Sequence, residues 1–125
     1  MQRRFRLTGS KRFSQIHRDG SSAANRYLVI RFLPNGLDRS RFGFLTSKRI
    51  GNAVVRNKVK RRLREAVRQN RVRAGWDAVF IARTGIEKAG YQELKQAADN
   101  LLRRSKLVRG DDPAANAGAT AGASQ

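Results

Sequence analysis

Between Arg56 and Arg73 the chain places nine Lys or Arg residues and a single acid, Glu65. A run so charged is either a solvated arm or one face of an anchored helix, and the apolar residues within it decide between the two. Val59, Leu63, Ala66 and Val67 fall at i, i+4, i+7 and i+8, the stripe of a helix resting on a core. At about 100° per residue they cover roughly a third of the circumference. Lys58, Lys60, Arg61, Arg62, Arg64 and Arg68 sweep most of the remainder. Like charges at i,i+4, such as Lys60/Arg64 and Arg64/Arg68, oppose the helix slightly, so a chain that keeps them is expected to meet a polyanion there. This segment reads as an anchored basic helix.

The rest of the composition narrows the partner. The chain has 125 residues, the length of one domain. Apart from Pro113, residues 110–125 contain no apolar side chain larger than Ala, too little to offset the entropy of ordering. They read as a disordered tail, leaving residues 1–109 as the folded domain. Net charge is +19, and +21 over residues 1–109 because Asp111 and Asp112 lie in the tail. Such a charge speaks to partners rather than to fold. Nucleic acid is the first candidate and an anionic membrane surface the second. Against the membrane, no apolar run approaches spanning length and no basic helix carries a Trp/Phe/Leu face. The N-terminal Met-Gln-Arg-Arg-Phe-Arg-Leu lacks the apolar stretch of a signal peptide. The absence of Cys rules out disulfides and thiolate metal sites and fits a cytoplasmic location.

In chain order, a short helix is expected after Arg6-Leu7, with Thr8 or Ser10 as N-cap, Phe13 and Ile16 at i,i+3, and Gly20 as its stop. Gly20 to Ala24 is a connector or short edge strand. Residues 25–33 form the best strand in the sequence, with Leu28, Ile30 and Phe32 on one face and Tyr27, Val29 and Arg31 on the other, wetter one. Turn residues 34–38 lead to a second strand, 41–47, expected to pair antiparallel with the first, with Phe42 and Phe44 on the core side. Gly51 and Asn52 open the basic helix, expected to run to about Arg73 with Gly75 ending it. Residues 77–83 form a third strand, Thr84-Gly85 turns out of it, and Tyr91, Leu94, Ala97, Ala98, Leu101 and Leu102 mark a closing helix. The order α-β-β-α-β-α, with room for one extra short strand, predicts an α+β protein: an α/β sandwich with a mixed central sheet of three to four strands and three helices. The second strand, basic helix and third strand are compatible with a βαβ crossover.

Catalytic chemistry has little to work with. The single histidine, His17, has Ser14 and Asp19 nearby, but all three would crowd one short helix with nothing placing an oxyanion hole beside them. The carboxylates up to residue 109 (Asp19, Asp38, Glu65, Asp77, Glu87, Glu93 and Asp99) are scattered singly, unlike the clusters that hold two cations in metal-dependent nucleases. No phosphate-binding glycine loop is present. No catalytic residue and no metal ligand is therefore expected in the protein.

The block Ser47 to Arg62, Ser-Lys-Arg-Ile-Gly-Asn-Ala-Val-Val-Arg-Asn-Lys-Val-Lys-Arg-Arg, closely resembles the signature of the bacterial ribonuclease P protein family. Arg6-Leu7 before a helix bearing Phe13, Asn25-Arg26 opening a strand, Arg41-x-Gly43 and Ile81-Ala82-Arg83 match in the family's order. The resemblance implies a subunit of a ribonucleoprotein endoribonuclease. Its partners are a catalytic RNA and precursor tRNA, and the RNA with its Mg²⁺ removes the 5′ leader in the cytoplasm. It implies no cofactor on the protein alone, no small-molecule substrate, and a left-handed crossover through the basic helix. Carried over, Lys48, Arg49, Arg56, Asn57, Lys58, Lys60, Arg61 and Arg62 meet the catalytic RNA. The continuing charge adds Arg64 and Arg68. Asn52 either starts the helix or touches RNA. Phe13, His17, Tyr27, Val29, Arg31 and Arg83 lie in or near a groove for the single-stranded leader. The family often has aromatics where this chain has His17 and Arg31, which leaves stacking to Phe13 and Tyr27 and gives Arg31 a cation–π or phosphate role.

Two other classes share part of this pattern. A structural ribosomal protein would have the charge, the missing catalytic groups and the tail, but the block around Arg56 and the aromatic-bearing first helix favour the tRNA-processing reading. A DNA-binding regulator would need a recognition helix with a partner helix across a tight turn, whereas here the helix is flanked by strands.

Overall fold

Every strand of the sheet reports its depth through its side chains. The computed structural model describes residues 2–108, in the order α1 (Ser10–Asp19), β1 (Ser21–Ala24), β2 (Leu28–Pro34), β3 (Arg41–Leu45), α2 (Ala53–Arg68), β4 (Trp76–Ala82) and α3 (Tyr91–Arg104). Three helices and a four-stranded mixed sheet make an α+β fold. The short segment after Gly20 is indeed an edge strand. The tail expected at 110–125 lies outside the described residues.

The sheet order is β1-β2-β4-β3, with β4 antiparallel to β2 and parallel to β3. The expected pairing of the second strand with the first is therefore wrong, because β4 lies between them. The turn residues after β2 dictate a reversal of direction but not adjacency. The central place of β4 follows from its burial on both faces: Ala78, Val79 and Phe80 are all buried in succession, as in a strand covered on each side. β3, α2 and β4 form the βαβ unit.

Alternation along the strands divides the apolar residues between two cores. Leu28, Ile30, Phe42, Ala78 and Phe80 face α2 and α3, and pack with Val59, Leu63, Ala66 and Val67 of α2 and Leu94, Ala98, Leu101 and Leu102 of α3. On the opposite face Val79 packs with Leu7 and Ile16, joined by Phe13, Leu33 and Ile81, so α1 covers that side alone. One helix against a sheet that two helices cover behind leaves part of the α1 face open.

Three local expectations need correction. The N-cap of α1 is Gly9 rather than Thr8 or Ser10; it sits at φ 97°, reachable without strain only by glycine, and no side chain caps the helix. Helix α2 stops at Arg68, not Arg73. Asn70 donates to the Ala66 carbonyl (2.9 Å) and to Asp99 of α3 (2.8 Å), diverting the last turn. Val72 then bridges antiparallel to Val108 and Arg73 N–H donates to the Leu107 carbonyl (2.7 Å). Finally, Tyr27 precedes β2 and does not share the Val29/Arg31 face. Asn25 Oδ1 accepts from the N–H groups of Tyr27 and Leu28, a side-chain turn that redirects the ring toward the main core.

Candidate nucleic-acid interface

Helix α2 is capped as its sequence dictates: Asn52 Oδ1 accepts from Val55 N–H at 3.0 Å. That contact gives Asn52 the helix-start role. Val59, Leu63, Ala66 and Val67 are all buried beneath the helix. Fixing that stripe turns Lys58 and Arg61 fully outward and leaves Lys60, Arg62 and Arg64 half-buried along the flanks. Lys48 and Arg49 are exposed on the 3₁₀ turn Lys48–Ile50 that leads in, and Asn57 is exposed beside them.

Among the described residues, the side chains of Lys48, Arg49, Lys58, Lys60, Arg61 and Arg62 have no ion pair or hydrogen bond. Arg64 lies over the Phe44 ring at 5.8 Å, and that ring stacks on Phe80. Arg56 has a buried Nε with no partner. Arg68 stands apart, because its guanidinium forks onto Glu65 at 2.6 and 3.1 Å. The hydrogen bonds from Arg68 and Gln69 hold the Glu65 carboxyl below its usual range, and Glu65 raises Arg68 in return. The result is a cationic ridge neutralised only at its C-terminal end.

The second feature is on the α1 face. Phe13, Ser14, Ile16 and His17 of α1 and Arg31, Leu45, Val79 and Ile81 of the sheet line a cleft of about 290 Å³. Phe13 rests on the backbone of Gly43, where a β-carbon would come within 2.6 Å of the ring. This contact accounts for the glycine in Arg41-x-Gly43. Leu45, which ends β3, is 45% exposed at the cleft, and only two residues separate it from Lys48. The cleft and the cationic ridge are thus linked by one short stretch of chain.

Of the residues expected in the groove, the fold brings Phe13, His17 and Arg31 into the cleft. Val29 is on the same sheet face, paired with Ile81. Tyr27 is not in the cleft: its hydroxyl donates to Glu93 of α3 at 3.1 Å and Arg26 stacks over its ring. Arg83 is exposed, donating to the Asn25 carbonyl at 2.8 Å. These two form a separate cluster beyond the end of β4.

Sequence reasoning missed what holds α1 in place. Asp77 is the second residue of β4 and is fully buried. It accepts from Arg41 at 2.8 and 2.6 Å, from Arg12 of α1 at 2.7 Å and from Asn35 at 2.9 Å. Arg12 also reaches Gln15 and the Pro34 carbonyl. Burial raises the Asp77 pKa, but the hydrogen bonds from Arg41, Asn35 and Arg12 outweigh it and hold the carboxyl below its ordinary value. The signal was present as a lone acid at the head of an apolar strand, but its partners are 36 and 65 residues away.

Among the described residues, no three His, Asp or Glu converge as metal ligands, and no helix is long and apolar enough to cross a membrane. The arrangement defines a class: a small, strongly basic α+β protein with an anchored cationic helix on one side of its sheet and an apolar, arginine-bearing cleft on the other. Comparison with known proteins agrees. The family model described as Ribonuclease P matches residues 1–106. A ribonuclease P protein component from Caldanaerobacter subterraneus subsp. tengcongensis is 39% identical over 104 residues, covering 82% of this chain and 90% of that protein. One from Roseiflexus castenholzii is 38% identical over 113 residues, covering 88% and 93%. The solved RNase P protein of Staphylococcus aureus superposes with TM-score 0.77 at 30% identity, covering 84% of this chain and 98% of that one. That of Thermotoga maritima gives 0.74 at 34%, covering 79% and 96%. The chain belongs to the ribonuclease P protein family, and hence is a component of a tRNA-processing ribonucleoprotein with an RNA partner.

Proposed function

We propose that this chain binds the catalytic RNA of ribonuclease P through α2 and the turn before it, and holds the 5′ leader of precursor tRNA in the α1 cleft. The RNA and its Mg²⁺ supply the hydrolysis, in the cytoplasm. The observation that carries this reading is the set of six cationic side chains without partners among the described residues, at Lys48, Arg49, Lys58, Lys60, Arg61 and Arg62, on and beside a helix whose other face is locked into the core. Arginine forks onto phosphate oxygens and lysine acts as a point charge, so a folded polyanion supplies the acceptors the protein does not. In this reading Phe13 offers a stacking face for an unpaired base and His17 and Arg31 its polar edge.

Reconstitution tests the proposal. Catalytic RNA and precursor tRNA are mixed with the chain, with and without Mg²⁺, at physiological salt. The chain is expected to increase 5′ trimming and to tighten binding of precursor over mature tRNA, with no trimming when the RNA is omitted. Trimming by the protein alone, or recovery of ribosomal RNA but no tRNA-processing RNA in a pull-down, would overturn it.

A further inference from the structure

A second cavity, of about 550 Å³, lies where the N-terminal turn Arg3–Phe5 meets the β2–β3 turn and the end of α2. It shares no lining residue with the α1 cleft. Its apolar surface comes from Phe5, Phe42, Val67, Val72 and Ala74. The polar groups set among them are already committed within the protein. Ser40 Oγ donates to the Arg73 carbonyl and accepts from Trp76 N–H, and the Asn70 amide donates to Ala66 and Asp99. Arg39 Nε donates to the Arg4 carbonyl at 3.0 Å, tying the N-terminal turn to the β2–β3 turn.

Arginines from three segments, Arg4, Arg39 and Arg68, line the same cavity. Arg68 is taken by Glu65. The Arg4 guanidinium lies over the Phe5 ring at 5.2 Å and has no acceptor among the described residues. The one acid of the lining, Asp38, meets Arg39 only at 3.4 Å and is itself 82% exposed. Guanidinium donors thus stand beside apolar surface without a carboxylate that matches them.

That pairing narrows the ligand. A planar anion such as a carboxylate suits an arginine fork. A phosphate would suit it too, so the body of the ligand decides. A nucleobase or ribose against Phe42, Val67 and Val72 would bury polar edges without partners, which is costly. An aromatic or branched hydrocarbon there loses nothing and gains from burial. The volume falls within the range of small-ligand pockets. We propose that this cavity is a binding site for a small organic carboxylate with an apolar body, its carboxylate held by Arg4 with Arg39 beside it. The inference stands apart from the RNA-binding reading, because none of the open cations of the ridge lines the cavity.

The experiment titrates the isotope-labelled full chain with naphthoate and follows the backbone amides by NMR. Naphthylmethanol, the same body without charge, and acetate, the charge without the body, serve as controls. Naphthoate is expected to shift the amides of Phe5, Phe42, Val72 and Ala74 saturably. It should bind at least about fivefold more tightly than either control, a discount on a charged hydrogen bond because the arginine is solvated. Arg4→Gln, which removes no hydrogen bond within the described residues, should erase that advantage over naphthylmethanol. Ala74→Leu, which narrows an exposed wall, should weaken naphthoate and naphthylmethanol alike. Shifts confined to the amides of α2 from Lys58 to Arg62, as for any anion on the ridge, would overturn the inference. So would naphthylmethanol binding as tightly as naphthoate, or naphthoate affinity unchanged in Arg4→Gln.

Discussion

Arginines on the two sides of the sheet do opposite work. On the α1 side Arg12 and Arg41 share the buried carboxylate of Asp77, and Arg31 holds a helix carbonyl. On the α2 side Arg61 and Arg62, with Lys58 and Lys60, have no acceptor among the described residues. The residue type is the same and the surroundings decide its role. A buried acid turns a guanidinium into a structural tie, and its absence leaves the guanidinium for a partner. Counting basic residues therefore overstates the surface open to an anionic partner, and Arg68, forked onto Glu65, is the clearest case.

The comparison breaks most sharply at Asp77. Asp77→Ala leaves two partly buried guanidinium groups facing an apolar gap and should cost about 3–5 kcal/mol, read from urea unfolding. Arg61→Ala should change stability by less than about 0.5 kcal/mol. Similar losses from the two would erase the distinction between tie and contact.

The same carboxylate gives a pH signature. Its folded pKa is depressed, so its contribution is complete above the ordinary carboxyl value near about 4 and fades as pH falls through the lower folded value. Acid should therefore weaken the wild type over that window, and Asp77→Asn should remove that part of the pH dependence. An unchanged acid profile in Asp77→Asn would reassign the sensitivity to other carboxylates.

On the α2 side the effects belong to binding. With about six phosphates neutralised, log K against log salt should fall with a slope of about −4 to −5. Arg61→Ala or Arg62→Ala should each weaken assembly about fivefold at physiological salt and flatten the slope by nearly one. A slope near zero would contradict a phosphate-led contact. Phe13→Ala should spare assembly and weaken binding of precursor relative to mature tRNA by roughly 1–3 kcal/mol, the range for a base on an aromatic ring. The smallest effect is expected from Arg68→Ala, less than half that of Arg61→Ala in log K, because the charge it removes is already offset by Glu65. An equal loss from both would show that the Glu65 pair opens when RNA binds.

The chain alone determined the basic helix, because a four-residue apolar stripe at helical spacing and the charge around it are local properties. It also determined the start of that helix at Asn52, the alternating β2 and the closing helix, for the same reason. The family block from Ser47 to Arg62 made the functional reading legible before any coordinate. Sheet order, the early end of α2, the displacement of Tyr27 and the Arg12–Asp77–Arg41 tie were decided only in three dimensions. Each depends on partners distant in the chain: β4 for β2 and β3, Asp99 for Asn70 and Val108 for Val72 at the end of α2, Ala97 and Asn100 for the Asn25 turn that carries Tyr27, and Asp77 for Arg12. Periodicity shows which face of an element turns inward, but the acceptor that awaits a donor there is set by packing.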